Sequence, residues 1–381
     1  MLMHIAHIVP RGEQAASGVL TVVVELAAAL ARRGHDVDLW RLHPWTDASY
    51  RTALERLSDA GVVFRDDAAE VSGRRVGRVV AGGVARAGAQ VAHIHGAYNV
   101  WNTKVTRALT VPYVFSPHSG YDPVSLRRSR VRKLLYTAAF ERPMLRRAKV
   151  CIGLTDKEAD SLRAQGVEGH VPVIPNGVGP VSASVDRDAL RRELGLDPET
   201  RIALFVGRLD VYRKGLDALL VGISEAPGWH LALVGPDFRD GLREIRMLMA
   251  ELSIEDRVSP LGARHGDDLV RAYEGADLLV LPSRWEGLSM SLLEGMVHGL
   301  PALVSPTVDE ALGIEDAGAG WTAAHDGMGR ALLMISSLDD PARSRARGAA
   351  RAFADRFNWD DIAEQYEHIY AAAVTPQGAG L

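Results

Sequence analysis

The sequence predicts an α/β protein built from two doubly wound parallel-sheet domains in tandem. Three observations lead there. Short apolar runs of strand length recur along the chain with helix-like stretches between most of them. Buried strands alternating with helices read as a parallel sheet covered on both faces. The alternation pauses once, over the polar stretch 179–197, and then restarts. The length, 381 residues, suits two domains at roughly 100–200 residues each.

The first half opens with an apolar strand at 4–9. A loop holding Gly12 and Gly18 follows, and Ser17 is placed to cap a helix that runs to Arg33 and stops at Gly34. Strands are expected at 37–40, 62–64, 91–94, 112–115, 150–152 and 171–174. Thr155 and Glu158 have the spacing of a capping box. Pro175-Asn176-Gly177 ends this half in a turn. In the second half, strands are expected at 202–206, 231–234, 258–261, 278–281 and 302–305, with a last helix at 359–373.

Composition narrows the function classes. Hydrophobic residues make up 47% and charged residues 24%, which excludes a disordered or fibrous chain. Basic residues (44) nearly balance acidic ones (48), for a net charge of -4. Bulk attraction to nucleic-acid phosphate is therefore not the main interaction. The lone cysteine, Cys151, sits in an apolar run; it can form no internal disulfide or cysteine zinc site and reads as a small packing residue. No signal-peptide pattern and no apolar run of about 20 residues is visible, so the expectation is a cytoplasmic protein.

Ligands of open parallel sheets bind beyond the carboxyl ends of the strands. Neither half has Gly-x-Gly-x-x-Gly after its first strand, nor a Walker loop, which disfavours a nicotinamide dehydrogenase or an ATPase. After 202–206 comes Gly207-Arg208-Leu209-Asp210-Val211-Tyr212-Arg213-Lys214-Gly215. Gly207 permits close approach, and Arg208 and Lys214 put two cations near a helix start, a setting suited to phosphate; a solvated basic loop is the alternative. After 278–281 comes Pro282-Ser283-Arg284-Trp285-Glu286-Gly287-Leu288-Ser289. Glu286 falls in this loop, and Ser289 is placed to cap the following helix. There Leu292, Leu293, Met296 and Val297 form one apolar stripe, with Glu294 at its edge. Two such carboxylates can accept hydrogen bonds from vicinal hydroxyls, or simply complement a helix dipole.

These residues resemble a family. Gly207-Arg208 with Lys214-Gly215, then Glu286 and Glu294, is similar to the retaining glycosyltransferases of the GT-B fold, family-four type. Ser116-Pro117-His118-Ser119-Gly120 looks like that family's histidine loop, and Ile174-Pro175-Asn176-Gly177-Val178 like the end of its first domain. The resemblance implies two Rossmann-like domains with a cleft between them: an acceptor domain, 1–178, completed by a returning helix at 357–373, and a nucleotide-sugar donor domain, 179–356. It implies a hexosyltransferase that moves a sugar from a nucleotide-diphosphate sugar to an acceptor hydroxyl with retained configuration. The catalytic set implied is His118, Glu286, Arg208 and Lys214. The donor set is Gly18, Gly207, Arg208, Lys214, Glu286, Gly287, Leu288, Ser289 and Glu294. Where the family often carries paired glycines, this chain has Ser17-Gly18. Neither metal nor other cofactor is expected. A nucleotide-sugar epimerase and a non-catalytic sugar-binding module are the rival readings.

His95, Tyr98, Trp101 and Tyr121, with Trp45, are candidates for the acceptor side. His93 and His95 share a strand face and could hold a metal, but no third ligand is evident, and cleft lining or packing is favoured. Asp36-Val37-Asp38 has the form of a metal-binding Asp-x-Asp, yet it opens a strand at the end away from ligands. The segment 127–149 is strongly basic, with Arg127, Arg128, Arg130, Arg132, Lys133, Arg142, Arg146, Arg147 and Lys149 against Glu141. A solvated face is favoured there over peripheral contact with the inner face of a membrane; nucleic-acid binding is the weakest reading. Donor base, donor sugar, acceptor and oligomeric state are not legible.

Overall fold

The computed structural model describes residues 1–9, 18–42, 50–66, 71, 75–121, 135–181 and 186–375. The chain forms two compact units: Met1–Gly177 with Trp359–Leu381, and Val178–Asn358. The first holds a six-stranded sheet of β1 (His4–Val9), β2 (Asp36–Arg41), β3 (Val63–Arg65), β4 (Val91–His95), β5 (Tyr113–Ser116) and β6 (Val150–Cys151), in the order β3-β2-β1-β4-β5-β6. The second holds β7 (Arg201–Val206), β8 (Trp229–Val234), β9 (Val258–Gly262), β10 (Leu278–Leu281), β11 (Ala302–Val304) and β12 (Gly320–Thr322), in the order β12-β11-β10-β7-β8-β9. The winding is the same in both, and all pairs are parallel. In each sheet the strand order reverses beside the first strand, which places ligands beyond the ends of β1 and β4, and of β7 and β10.

The apolar runs become these strands because helices cover both faces. β4 and β10 are buried along their whole length. The two-domain α/β expectation holds, with two differences. Residues 171–174 make only one bridge, Gly153 to Val173. Pro172 and Pro175 supply no N–H, so no ladder can extend there. β12 was not anticipated from three residues at a sheet edge; Gly320 allows it, because a Cβ there would stand 2.1 Å from the Ala302 carbonyl oxygen.

The polar stretch 179–197 contains a short helix, Ala189–Glu193. The final helix, Trp359–Val374, belongs to the first unit. Its Trp359 ring packs where a Gly177 Cβ would lie, 2.4 Å from that position. Its Glu367 accepts from Arg33 at 2.5 and 3.1 Å and lies 3.0 Å from His35. Asp38 is buried between His4 and Arg65, both at 3.2 Å, so the Asp36-Val37-Asp38 run is spent on structure. Cys151 is buried, and burial pushes its thiol up to about 12; it packs, as expected. Among the described residues no helix is long and apolar enough to cross a membrane. Residues 127–134 of the basic segment lie outside the described residues. In the rest, Arg146, Arg147 and Lys149 are exposed.

One buried acid was not singled out. A π-helical turn, Thr137–Glu141, turns Glu141 fully inward, where Tyr121 donates to it. Burial raises its carboxyl to about 7, opposed by the hydrogen bond from Tyr121. An acid with a raised folded value stabilises the fold fully below its unfolded value, roughly 4.3, and that stability is lost as pH rises through 7. Glu141→Gln is always neutral. It should match the parent at pH 4 and melt at a higher temperature at pH 8; thermal unfolding at the two pH values checks this.

Candidate functional site

In the second unit, β7 ends at Val206, and Gly207 follows with φ 157°. Its amide donates to Val234 of β8 at 2.9 Å. Asp210 starts the short helix Val211–Lys214, accepting from the Arg213 amide at 3.3 Å. Gly215 then reverses the chain with φ 68° and opens the helix Leu216–Glu225. A Cβ on Gly215 would lie 2.1 Å from the Pro282 carbonyl oxygen. The loop after β7 therefore touches the loop after β10 through a glycine.

That contact sets Lys214 against Glu286. Lys214 Nζ donates to Glu286 Oε2 at 2.5 Å, and Ser283 Oγ donates to the same oxygen at 3.0 Å. Ser283 is fully buried and its carbonyl accepts from Ser305 Oγ at 2.6 Å, which fixes the loop from beneath. Burial raises the Glu286 carboxyl, but the charge and hydrogen bond of Lys214, with Arg213 and Ser283, outweigh it and hold it below the ordinary range. The pair is a fixed, ionised centre at the carboxyl end of β7 and β10. Lys214 has three N–H donors, and one is committed to Glu286.

The other expected residues of the unit lie in the segments that follow β7 and β10. Arg208 is exposed, its guanidinium 5.0 Å from the centre of the Phe238 ring. Arg284 pairs with Asp217 at 2.8 and 2.7 Å and stacks on Tyr212. Gly287 is half-buried and Leu288 buried. Ser289 precedes the helix Met290–Val297, but its hydroxyl meets Ser291 Oγ at 3.0 Å and makes no bond to a helix amide; the expected cap is not formed. Ser291 instead donates to the Val206 carbonyl at 2.8 Å, tying helix to β7. Glu294 lies half-buried beside the stripe Leu292, Leu293 and Met296, and accepts from Tyr273 Oη at 2.9 Å. Tyr273 was missed because only the fold brings it to Glu294; Ser283 stands three residues before Glu286, and the bend of the loop gives it its role.

In the first unit, Gly18 is the exposed first residue of the helix Gly18–Arg32, and a Cβ there would meet nothing within 4 Å among the described residues. Ser17 and Trp45 lie outside the described residues. His118 stands in the loop after β5 with φ 50°, followed by Ser119 at φ 65°. The Glu158 carboxylate holds that loop, accepting from the Ser119 amide and, at 2.7 Å, from the Leu154 amide. Thr155 caps its helix by accepting from the Glu158 amide at 3.3 Å, so the capping residue was legible but the carboxylate's second task was not.

The acceptor-side expectations divide. Tyr98 and Trp101 are half-buried, with Lys104 4.0 Å above the Trp101 ring. His95 and Tyr121 are fully buried and cannot line a surface. Tyr121 is spent on Glu141, and His95 shares hydrogen bonds of 3.0 Å with both His7 and His118. His93 is buried too, bonded to Tyr370 Oη and Ser116 Oγ at 2.8 Å each. The third histidine not evident in the sequence is His7: ligand atoms of His7, His93 and His95 lie within 4.8 Å of one another. These rings are already bonded to one another, to His118 and to hydroxyls, which is the pattern of packing and not of a vacant ligand set. His7 was missed because it meets His93 only through the parallel register of β1 and β4.

Two six-stranded parallel sheets of identical winding, with an ionised Lys–Glu centre at a carboxyl end, define the class: the GT-B fold. Residues 16–180 match the family model described as Glycosyltransferase Family 4. Residues 186–329 match the one described as Glycosyl transferases group 1. The chain belongs to this family of glycosyltransferases. It is 30% identical over 279 residues to a D-inositol 3-phosphate glycosyltransferase of Segniliparus rotundus, a stretch covering 70% of this chain and 62% of that relative. A protein of the same description from Mycobacterium marinum is 25% identical across 100% of this chain and 86% of its own length. The structure of Anabaena Alr3699/HepE in complex with UDP and glucose superimposes with a TM-score of 0.74 at 20% identity, covering 97% of this chain and 100% of that one.

Proposed function

We propose that the chain transfers a hexosyl group from a nucleotide-diphosphate sugar to an acceptor hydroxyl, with retention and without a metal. The observation that carries this reading is the Lys214–Glu286 pair at the carboxyl end of β7 and β10. Breaking the anomeric C–O bond builds negative charge on the departing diphosphate, and fixed cations aimed at that charge lower the barrier. Arg208 and Lys214 are assigned to the diphosphate. Glu294 is assigned to the ribose hydroxyls. Glu286, with the backbone of Gly287 and Leu288, is assigned to the transferred sugar, and His118 to a substrate hydroxyl. Gly18 and its loop are assigned to the diphosphate or the acceptor. The acceptor oxygen forms the new bond on the face the diphosphate leaves, and its proton passes to the departing phosphate oxygen.

UDP-sugars are the first donors to test, since the Anabaena structure holds UDP. A phosphorylated polyol is the first acceptor to test, given the names of the relatives. The expected result is nucleoside diphosphate released only when acceptor is present, unchanged by EDTA, with the donor's anomeric configuration in the product. Release without acceptor, or loss in EDTA reversed by magnesium, contradicts it.

Two substitutions should separate the carboxylates. Glu294→Ala should raise the donor KM with a smaller effect on kcat, because a ribose contact is shared by ground and transition states. Glu286→Ala should lower kcat at saturating donor roughly ten- to a thousandfold, the cost of one preorganised group. Steady-state kinetics with varied donor distinguishes them.

A further inference from the structure

His7 and His95 have no task in the reaction above, yet they are wholly buried behind His118. His7 Nδ1 and His95 Nε2 lie 3.0 Å apart, as do His95 Nδ1 and His118 Nε2. The ring planes differ by 10° in the first pair and 24° in the second, and the ring centres are 5.3 Å apart in both. Near-parallel rings at that separation, joined nitrogen to nitrogen, form an in-line string of imidazoles. His93 does not compete for it, because both its nitrogens are bonded to hydroxyls.

We propose that this string sets the tautomer of His118: His7 donates from Nδ1 to His95 Nε2, His95 donates from Nδ1 to His118 Nε2, and His118 keeps its own proton on Nδ1. His7 and His95 are then positioning residues for the N–H that His118 presents. This rests on the reading of His118 as a substrate-facing group.

Burial holds His7 down to about 3 and His118 to about 4, and burial with the neighbouring histidines holds His95 well below its ordinary value. Each ring is therefore neutral near pH 7 and has one N–H to give. Two bonds in series must then point the same way, and only two arrangements exist. They differ at His7 Nε2, which is buried and has no partner among the described residues. The inward direction leaves an unpaired N–H there; the outward direction leaves only a lone pair. Orphaned buried N–H groups are the rarer of the two, and an in-line chain reinforces the direction it adopts. The outward direction makes His118 Nδ1 a donor, suited to a sugar oxygen or to developing negative charge.

The test reads tautomers directly, by two-bond proton–nitrogen correlation on the full chain labelled with 15N-histidine at pH 7.5. His118 is expected to carry its proton on Nδ1, with Nε2 bare; a proton on Nε2 overturns the proposal without any variant. His95→Phe keeps the ring shape and removes both bonds. Provided it folds, the His118 proton should move toward Nε2, with kcat falling about tenfold or more, as when a group that orients a histidine is lost, and donor KM changing little. An unchanged tautomer or an unchanged kcat overturns the positioning role. Absence of transfer by the parent protein would instead overturn the assignment of His118 to substrate and leave the tautomer result standing.

Discussion

Lys214→Ala is expected to lower turnover 10²–10³-fold at saturating donor, about 2.7–4 kcal/mol of transition-state stabilisation. Two consequences of the structure add up in this substitution. A cation proposed to face the leaving diphosphate is removed, and Glu286 loses the partner that keeps it ionised. Burial is the largest influence on Glu286 and raises its carboxyl, so without Lys214 it should take up a proton at higher pH than in the parent. The residual activity should therefore show an alkaline shift in its acid limb. Because the two side chains act as a unit, Lys214→Ala/Glu286→Ala should cost little more than the worse single change. Fully additive losses would mean that the pair seen here is not the working arrangement.

Gly215→Ala is expected to damage the second unit severely. Gly215 has φ 68°, where a side chain is strained, and the added Cβ would stand 2.1 Å from the Pro282 carbonyl oxygen and 3.2 Å from His325 Nε2. His325 itself lies 2.9 Å from that carbonyl oxygen, so the neighbour cannot withdraw freely. The left-handed conformation alone costs about 1–2 kcal/mol, and the clash brings the expected loss to about 3 kcal/mol or more. Moving Pro282 also moves Ser283 and Glu286, so any folded protein should bind donor poorly. Gly18→Ala is the contrast: its Cβ meets nothing among the described residues and it begins a helix, so its stability should stay within about 0.5 kcal/mol. Denaturant unfolding of the two variants checks both.

The fold was legible because its signal is local. Runs such as Leu278–Leu281 are buried on both faces, and that burial is written as uninterrupted apolar sequence. β12 escaped because three residues at an edge carry too little pattern, and 171–174 misled because an apolar run between prolines looks like a strand while lacking the donors to be one. At the site, the types and places of Lys214 and Glu286 were legible, since strand ends and glycines mark where ligands approach. Their bond was not. The family resemblance implies Lys214 for phosphate and Glu286 for sugar, and only the contact of two loops through Gly215 shows one holding the other. The histidines make the same point. Alternation placed His93 and His95 on one face but not which way that face looks. The register of β1 against β4 adds His7 and turns an expected surface histidine, His95, into an interior link.

The central claim is that the carboxyl end of β7 and β10 holds the donor's diphosphate. Thermal unfolding of the parent protein and of Arg208→Ala with UDP, GDP, ADP and dTDP, each against its monophosphate, tests it most directly. Arg208 is exposed, so its loss should leave the unliganded protein's melting temperature unchanged. One diphosphate should stabilise the parent by about 2.7 kcal/mol at 100 times its Kd, more than its monophosphate does, and Arg208→Ala should lose most of that gain. No stabilisation by any diphosphate, or an equal gain in both proteins, would contradict the account.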